Sequence, residues 1–156
     1  MNLLALNFLY SCAKFTFRQD WTLYMAKKFI HNFFYYWFPV IIYCLVIFIQ
    51  SSYPVPKETP DWPFKDKVLH LAGYSVLGVL FLRGFRNSRL KNRHKLIIVI
   101  SILFTGIYGL TDEWHQYYVP LRSAEALDLL ADFLGGMFGV YFYHRILEKY
   151  PVIGRL

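Results

Sequence analysis

Hydrophobic positions gather into four runs, 33–50, 68–82, 96–111 and 127–144, separated by polar and charged segments. Between Lys28 and Lys57 the chain carries no Asp, Glu, Lys or Arg. Such runs predict membrane-crossing helices rather than a soluble core. The fold expected is therefore all-α, a membrane-spanning bundle of four helices. Gln50-Ser51-Ser52, followed by Pro54 and Pro56, reads as the end of the first helix entering a stiff loop. Pro39 either kinks that helix or marks its first turn.

Three of the runs are short. A crossing helix needs ~20 residues, yet 68–82 is bounded by Lys67 and Arg83, and the uncharged stretch of the fourth run starts only after Asp132. Fifteen residues at ~1.5 Å each cover ~22 Å. Extension at one end recruits Arg and Lys, which can snorkel; extension at the other takes acids into the helix. Asp66, Lys67, Asp112, Glu113, Asp128 and Asp132 are therefore expected at or below one membrane interface. Ionisable groups at that depth should face the bundle interior and pair.

Charge then orients the chain. Lys27 and Lys28 precede the first run, six bases (Arg83, Arg86, Arg89, Lys91, Arg93, Lys95) fill the second loop, and Arg145, Lys149 and Arg155 follow the last run. With four spans these segments share one side, which the positive-inside rule makes cytoplasmic: N-in and C-in. The formal net charge of +7 divides into +11 inside and −4 outside. The basic loop is thus topogenic, near anionic lipid headgroups, and no nucleic-acid partner is expected. The composition, 56% hydrophobic and 17% charged, excludes a disordered chain, and Cys12 and Cys44 form no disulfide framework. Segment 1–24 has no positive n-region of a signal peptide and reads as a loose cytoplasmic or interfacial segment, or as a misassigned start ahead of Met25. The transmembrane domain is expected over 25–150, with 151–156 a short cytoplasmic tail.

Helical spacing collects the outer polar groups. Asp66, His70 and Tyr74 lie four residues apart on one face, as do Asp112 and Gln116, with Glu113 at the edge, and Asp128, Asp132 and Gly136. Arg122 is the single outer arginine. Gly135 and Gly139 form a G-x-x-x-G pair that lets helices approach, and Gly73, Gly78, Gly106 and Gly109 suit the same tight bundle.

Asp66-Lys67-Val68-Leu69-His70 through Tyr74, then Asp112-Glu113-Trp114-His115-Gln116, Pro120-Leu121-Arg122, and Asp128 through Asp132 to Gly135-Gly136 resemble the VanZ-like family, whose pattern reads approximately D-K-x-x-H-x-x-x-Y, D-E-x-x-Q, a loop arginine and D-x-x-x-N-x-x-G. The resemblance covers roughly 29–147. It implies a multi-pass protein of the bacterial inner (cytoplasmic) membrane, with a role in the cell envelope or in glycopeptide (teicoplanin) tolerance and no settled molecular activity. One departure is Asp132, where the family often carries Asn.

Three functional readings stand side by side. As a binding site, Lys67, His70 and Arg122 would grip an anionic headgroup while the acids meet amino or hydroxyl groups of a lipid-linked cell-wall precursor or a glycopeptide. The candidate ligand-binding residues are Asp66, Lys67, His70, Tyr74, Asp112, Glu113, Gln116, Arg122, Asp128 and Asp132. As an enzyme, the acids and His70 would hold a divalent metal and hydrolyse a lipid-linked substrate. H-E-x-x-H and nucleophile-elbow motifs are missing, so catalysis ranks below binding, and no metal or other cofactor is expected. As a scaffold, the same groups would be helix-to-helix glue. His115 reads as a loop surface residue, and Cys44 as packing.

Overall fold

The structure, a computed structural model, describes residues 21–54, 64–122 and 124–150. Cys12, Pro56, Glu58, Trp62, Arg155 and the proposed tail lie outside them. The chain clusters into two units, Met1–Tyr35 and Tyr36–Leu156. In the first, residues 21–35 are helical throughout. The backbone widens into a π turn over Phe33–Trp37 and returns to α at Phe38, with Pro39 in the first turn. A proline lacks the N–H of the normal ladder and its ring collides with the carbonyl four residues back; a wider turn relieves both.

Among its described residues the second unit contains four α-helices: α1 (Phe38–Ser51), α2 (Lys65–Arg86), α3 (His94–Tyr117) and α4 (Ala126–Lys149). No strand occurs among the described residues. Trp21–Ser51, Lys65–Arg86, His94–Tyr117 and Ala126–Lys149 are each long and apolar enough to cross a membrane. The protein is an all-helical, multi-pass membrane protein. The helices after the first run 22, 24 and 24 residues, or ~33–36 Å. They reach that length as expected, by taking the acids at one end into the helix.

The distribution of side chains is inverted relative to a soluble bundle. Leu103, Ile107, Leu110, Phe138 and Phe142 are exposed on the outer faces, whereas Ser101, Thr105, Asp112, Glu113, Gln116, Asp128 and Asp132 are buried. Lipid is as apolar as leucine, so outward leucine costs nothing there, and buried polar groups hold the helices together. Helices α2 and α4 pack most closely. A Cβ on Gly78 would meet the Gly136 carbonyl at 2.8 Å, and those on Gly135 and Gly139 would strike the α2 backbone carbonyls of Leu71 and Ser75. The G-x-x-x-G pair thus does what its spacing predicted. Gly73 differs: its carbonyl accepts the Tyr43 hydroxyl at 3.1 Å, and a Cβ there would meet nothing nearer than that hydroxyl at 3.9 Å, so it borders open space. Apolar packing holds the other end and the middle, with Leu77 and Phe81 against Val40 and Leu82 with Ile97 and Val140.

Candidate functional site

The C-terminal ends of α1 and α3 and the N-terminal ends of α2 and α4 meet at one end of the bundle. There the polar groups divide into two layers.

The deeper layer is a network between α2, α3 and α4. His70 Nδ1 and Asp132 Oδ1 are 2.8 Å apart. The Tyr74 hydroxyl donates to Asp112 Oδ2 at 3.1 Å, and the Gln116 amide donates to the same oxygen at 3.1 Å. Lys67 Nζ bridges Glu125 at 2.6 Å and Asp128 at 2.9 Å. Glu113 Oε2 accepts the backbone N–H of Glu125, fixing the chain just before α4. Space for Asp132 comes from Gly109, whose Cβ would stand 2.8 Å from Asp132 Oδ2. Asp112, Glu113, Asp128 and Asp132 are 5%, 5%, 2% and 0% exposed. Despite the bonds above, Asp112 Oδ1, Glu113 Oε1 and Asp132 Oδ2 have no hydrogen-bond partner among the described residues.

The second layer is a cavity of about 780 Å³ between α1, α2 and α3. Its apolar wall is Val46, Ile47, Phe64 and Leu69, and its polar wall includes Gln50, Lys65, Asp66, Lys67, His70, Tyr74, Asp112, Gln116 and Arg122. Seven of the ten sequence-derived candidates therefore line it, whereas Glu113, Asp128 and Asp132 stand behind it in the buried network. Lys67, His70, Tyr74, Asp112 and Gln116 belong to both layers; His70 lines the cavity while its Nδ1 is held by Asp132.

Four side chains depart from the sequence reading. Arg122, expected to grip a headgroup, is bonded to backbone: its Nε donates to the Tyr53 carbonyl at 3.0 Å and its Nη2 to the Gln50 carbonyl at 3.1 Å. It closes the C-terminal end of α1, where helix carbonyls lack partners. His115 is no loop residue. It lies in the last turn of α3, bonds Ser52 Oγ at 2.9 Å and packs on Phe48, tying α3 to α1. Lys65 and Glu125 went unselected because neither falls on the stripes that helical spacing picks out. Lys65 lines the cavity, and its Nζ is buried with no hydrogen-bond partner among the described residues. The unexpected positive φ of two non-glycine residues marks the same rim: Phe64 at 64°, directly before α2, and Leu121 at 67°, directly before Arg122. Such conformations cost about 1–3 kcal/mol and persist where surrounding structure enforces them.

Metal ligation is sterically open at two places. One ligand atom from each of His70, Glu113 and Asp132 lies within 4.8 Å of the others, and the same holds for Asp66, His70 and Asp128.

Comparison with known proteins gives two results. The profile of a family described as VanZ/LLP1 matches residues 3–148. The uncharacterized protein C11E3.10 of Schizosaccharomyces pombe is 27% identical over 115 residues, covering 70% of this chain and 68% of that one. No solved structure matches.

Proposed function

The chain belongs to the VanZ/LLP1 family, and from that premise we propose that its cavity binds the anionic head group of a membrane amphiphile. The observation that carries this reading is Lys65 Nζ, a buried ammonium with no hydrogen-bond partner that lines the cavity. A buried cation without a partner is costly, and a phosphate offers it several acceptors. The N-terminus of α2 adds to the attraction. Its cap residue, Phe64, makes no side-chain cap bond, and the positive end of the helix dipole stands beside first-turn residues that line the cavity. Lys67 and Arg122 stand in the same wall.

The remaining lining narrows the ligand. Asp66 and Asp112 suit an amine or hydroxyl beside the phosphate, and Val46, Ile47 and Leu69 suit the start of an acyl or prenyl chain. Lipid-linked wall precursors fall within this class, and a role in the cell envelope or in glycopeptide tolerance would follow from holding one. In this reading the site faces out, with the termini and the basic 83–95 loop on the cytoplasmic side of the membrane. Binding, not turnover, is the proposed activity.

The test is a titration of the purified full chain with phosphate-headed lipid in nanodiscs. Wild-type protein should prefer anionic over zwitterionic lipid, and Lys65→Gln should lose about tenfold in affinity, on the scale of 1.4 kcal/mol per decade, with an unfolding midpoint no lower than that of wild type. Equal affinity for both lipids, or no effect of Lys65→Gln, contradicts the reading.

A further inference from the structure

We infer that His70, Glu113 and Asp132 form a divalent-cation site in the wall between the cavity and the buried network. The inference stands on the network's own geometry and does not depend on the head-group reading.

Four observations lead to it. First, one ligand atom of each residue already lies within 4.8 Å of the other two. Ligands on a shared tetrahedral ion, each at ~2.0–2.1 Å, stand ~3.3 Å apart. Closing the set takes a contraction of at most about 1.5 Å between ligand atoms, a shift on the scale of side-chain motion. Second, Glu113 and Asp132 are nine-tenths or more buried, and each keeps an oxygen, Oε1 and Oδ2, with no hydrogen-bond partner among the described residues. Buried carboxylate oxygens are ordinarily satisfied, by protein, water or ion. Third, carboxylates outnumber bases. Asp112, Glu113, Asp128 and Asp132 are buried together with two neighbouring bases, Lys67, committed to Glu125 and Asp128, and His70, 2.8 Å from Asp132. Fourth, the backbone makes room. Gly109 admits the Asp132 carboxylate against α3, where a Cβ would stand 2.8 Å from Oδ2.

The alternative trio, Asp66, His70 and Asp128, shares His70, but the Lys67 ammonium sits 2.9 Å from Asp128 and would repel an ion there. One imidazole with two carboxylates suits zinc or manganese better than calcium, which prefers oxygen alone. Because His70 also lines the cavity, an ion bound there would border whatever occupies it. Asp132 is the residue in which this chain departs from the asparagine of the family pattern, and it brings the second carboxylate.

The experiment uses the full chain, purified in detergent with a tag free of histidine. The protein is stripped with EDTA, dialysed, and equilibrated with zinc or manganese alone. Elemental analysis reads ions per chain, and thermal unfolding reads the shift in midpoint. Wild-type protein should retain one ion per chain and unfold at a higher temperature with it. Asp132→Asn and Glu113→Gln should each weaken binding by about tenfold or more, whereas Asp66→Asn should not. Wild-type protein that retains no ion and shows no metal-induced shift overturns the inference, whatever the variants do. So does Asp132→Asn protein that is folded and binds metal as tightly as wild type.

Discussion

At the scale of single residues, two lysines two positions apart do different work. Lys67 Nζ is held by Glu125 and by Asp128, which is 2% exposed, so Lys67→Gln strands a buried carboxylate. Stability should fall by about 1–3 kcal/mol, the cost of a buried group left unpaired. Lys65 Nζ makes no such bond, so Lys65→Gln should cost no stability and should lower ligand affinity. Chemical denaturation of the two variants in the same detergent separates them; equal destabilisation would show that Lys65 belongs to the network after all. Tyr74→Phe offers a third comparison. It removes the hydroxyl that donates to Asp112 while keeping the ring that packs with Leu77 and Phe81. Bonds of this kind within a membrane are worth ~0.6 kcal/mol on average and ~1.7 at most, and a loss in that range is expected.

At the scale of elements, the contact of α2 with α4 depends on small residues. Gly135→Ala and Gly139→Ala place a methyl group against backbone carbonyls that cannot rotate away. Each should destabilise by about 1–3 kcal/mol, as overpacking does, and lower the amount of folded protein in the membrane. Gly73→Ala, with nothing nearer than 3.9 Å, should fold normally. Comparing the three by size-exclusion yield and unfolding midpoint checks this; a damaging Gly73→Ala would contradict the cavity wall described. The elements also mark how far the sequence could be read. Asp66, His70, Tyr74, Asp112, Asp128 and Asp132 were legible because a 3.6-residue period puts groups four apart on one face, and because spans so short had to draw acids inward. Lys65 and Glu125 were not, and Arg122 was picked out as a charge without its backbone partners. They stand on or beside the loops, where no period applies, and their roles depend on the turns at Phe64 and Leu121, whose left-handed backbone no residue type there announces. The division into a cavity wall and a buried layer was also hidden, because it depends on how far α1 stands from the other helices.

At the scale of the whole molecule, apolar residues face outward and acids inward, and this inversion makes the chain a multi-pass membrane protein. Its orientation is open to a direct check. In a background with Cys12 and Cys44 replaced by Ser, an impermeant maleimide should label Tyr118→Cys in intact cells and Asn92→Cys only after lysis. The reverse pattern would place the site on the cytoplasmic side.

The central claim is that the cavity between α1, α2 and α3 holds the head of an anionic amphiphile. Gly73 lines that cavity and has room beside it, so Gly73→Leu should fill the space without disturbing the fold. The decisive measurement is native mass spectrometry of wild-type and Gly73→Leu protein released from membranes, each carrying what it has bound. The account expects wild-type protein to retain a phosphate-headed lipid and Gly73→Leu protein, equally stable, to have lost it. Retention of the same lipid by both would contradict it.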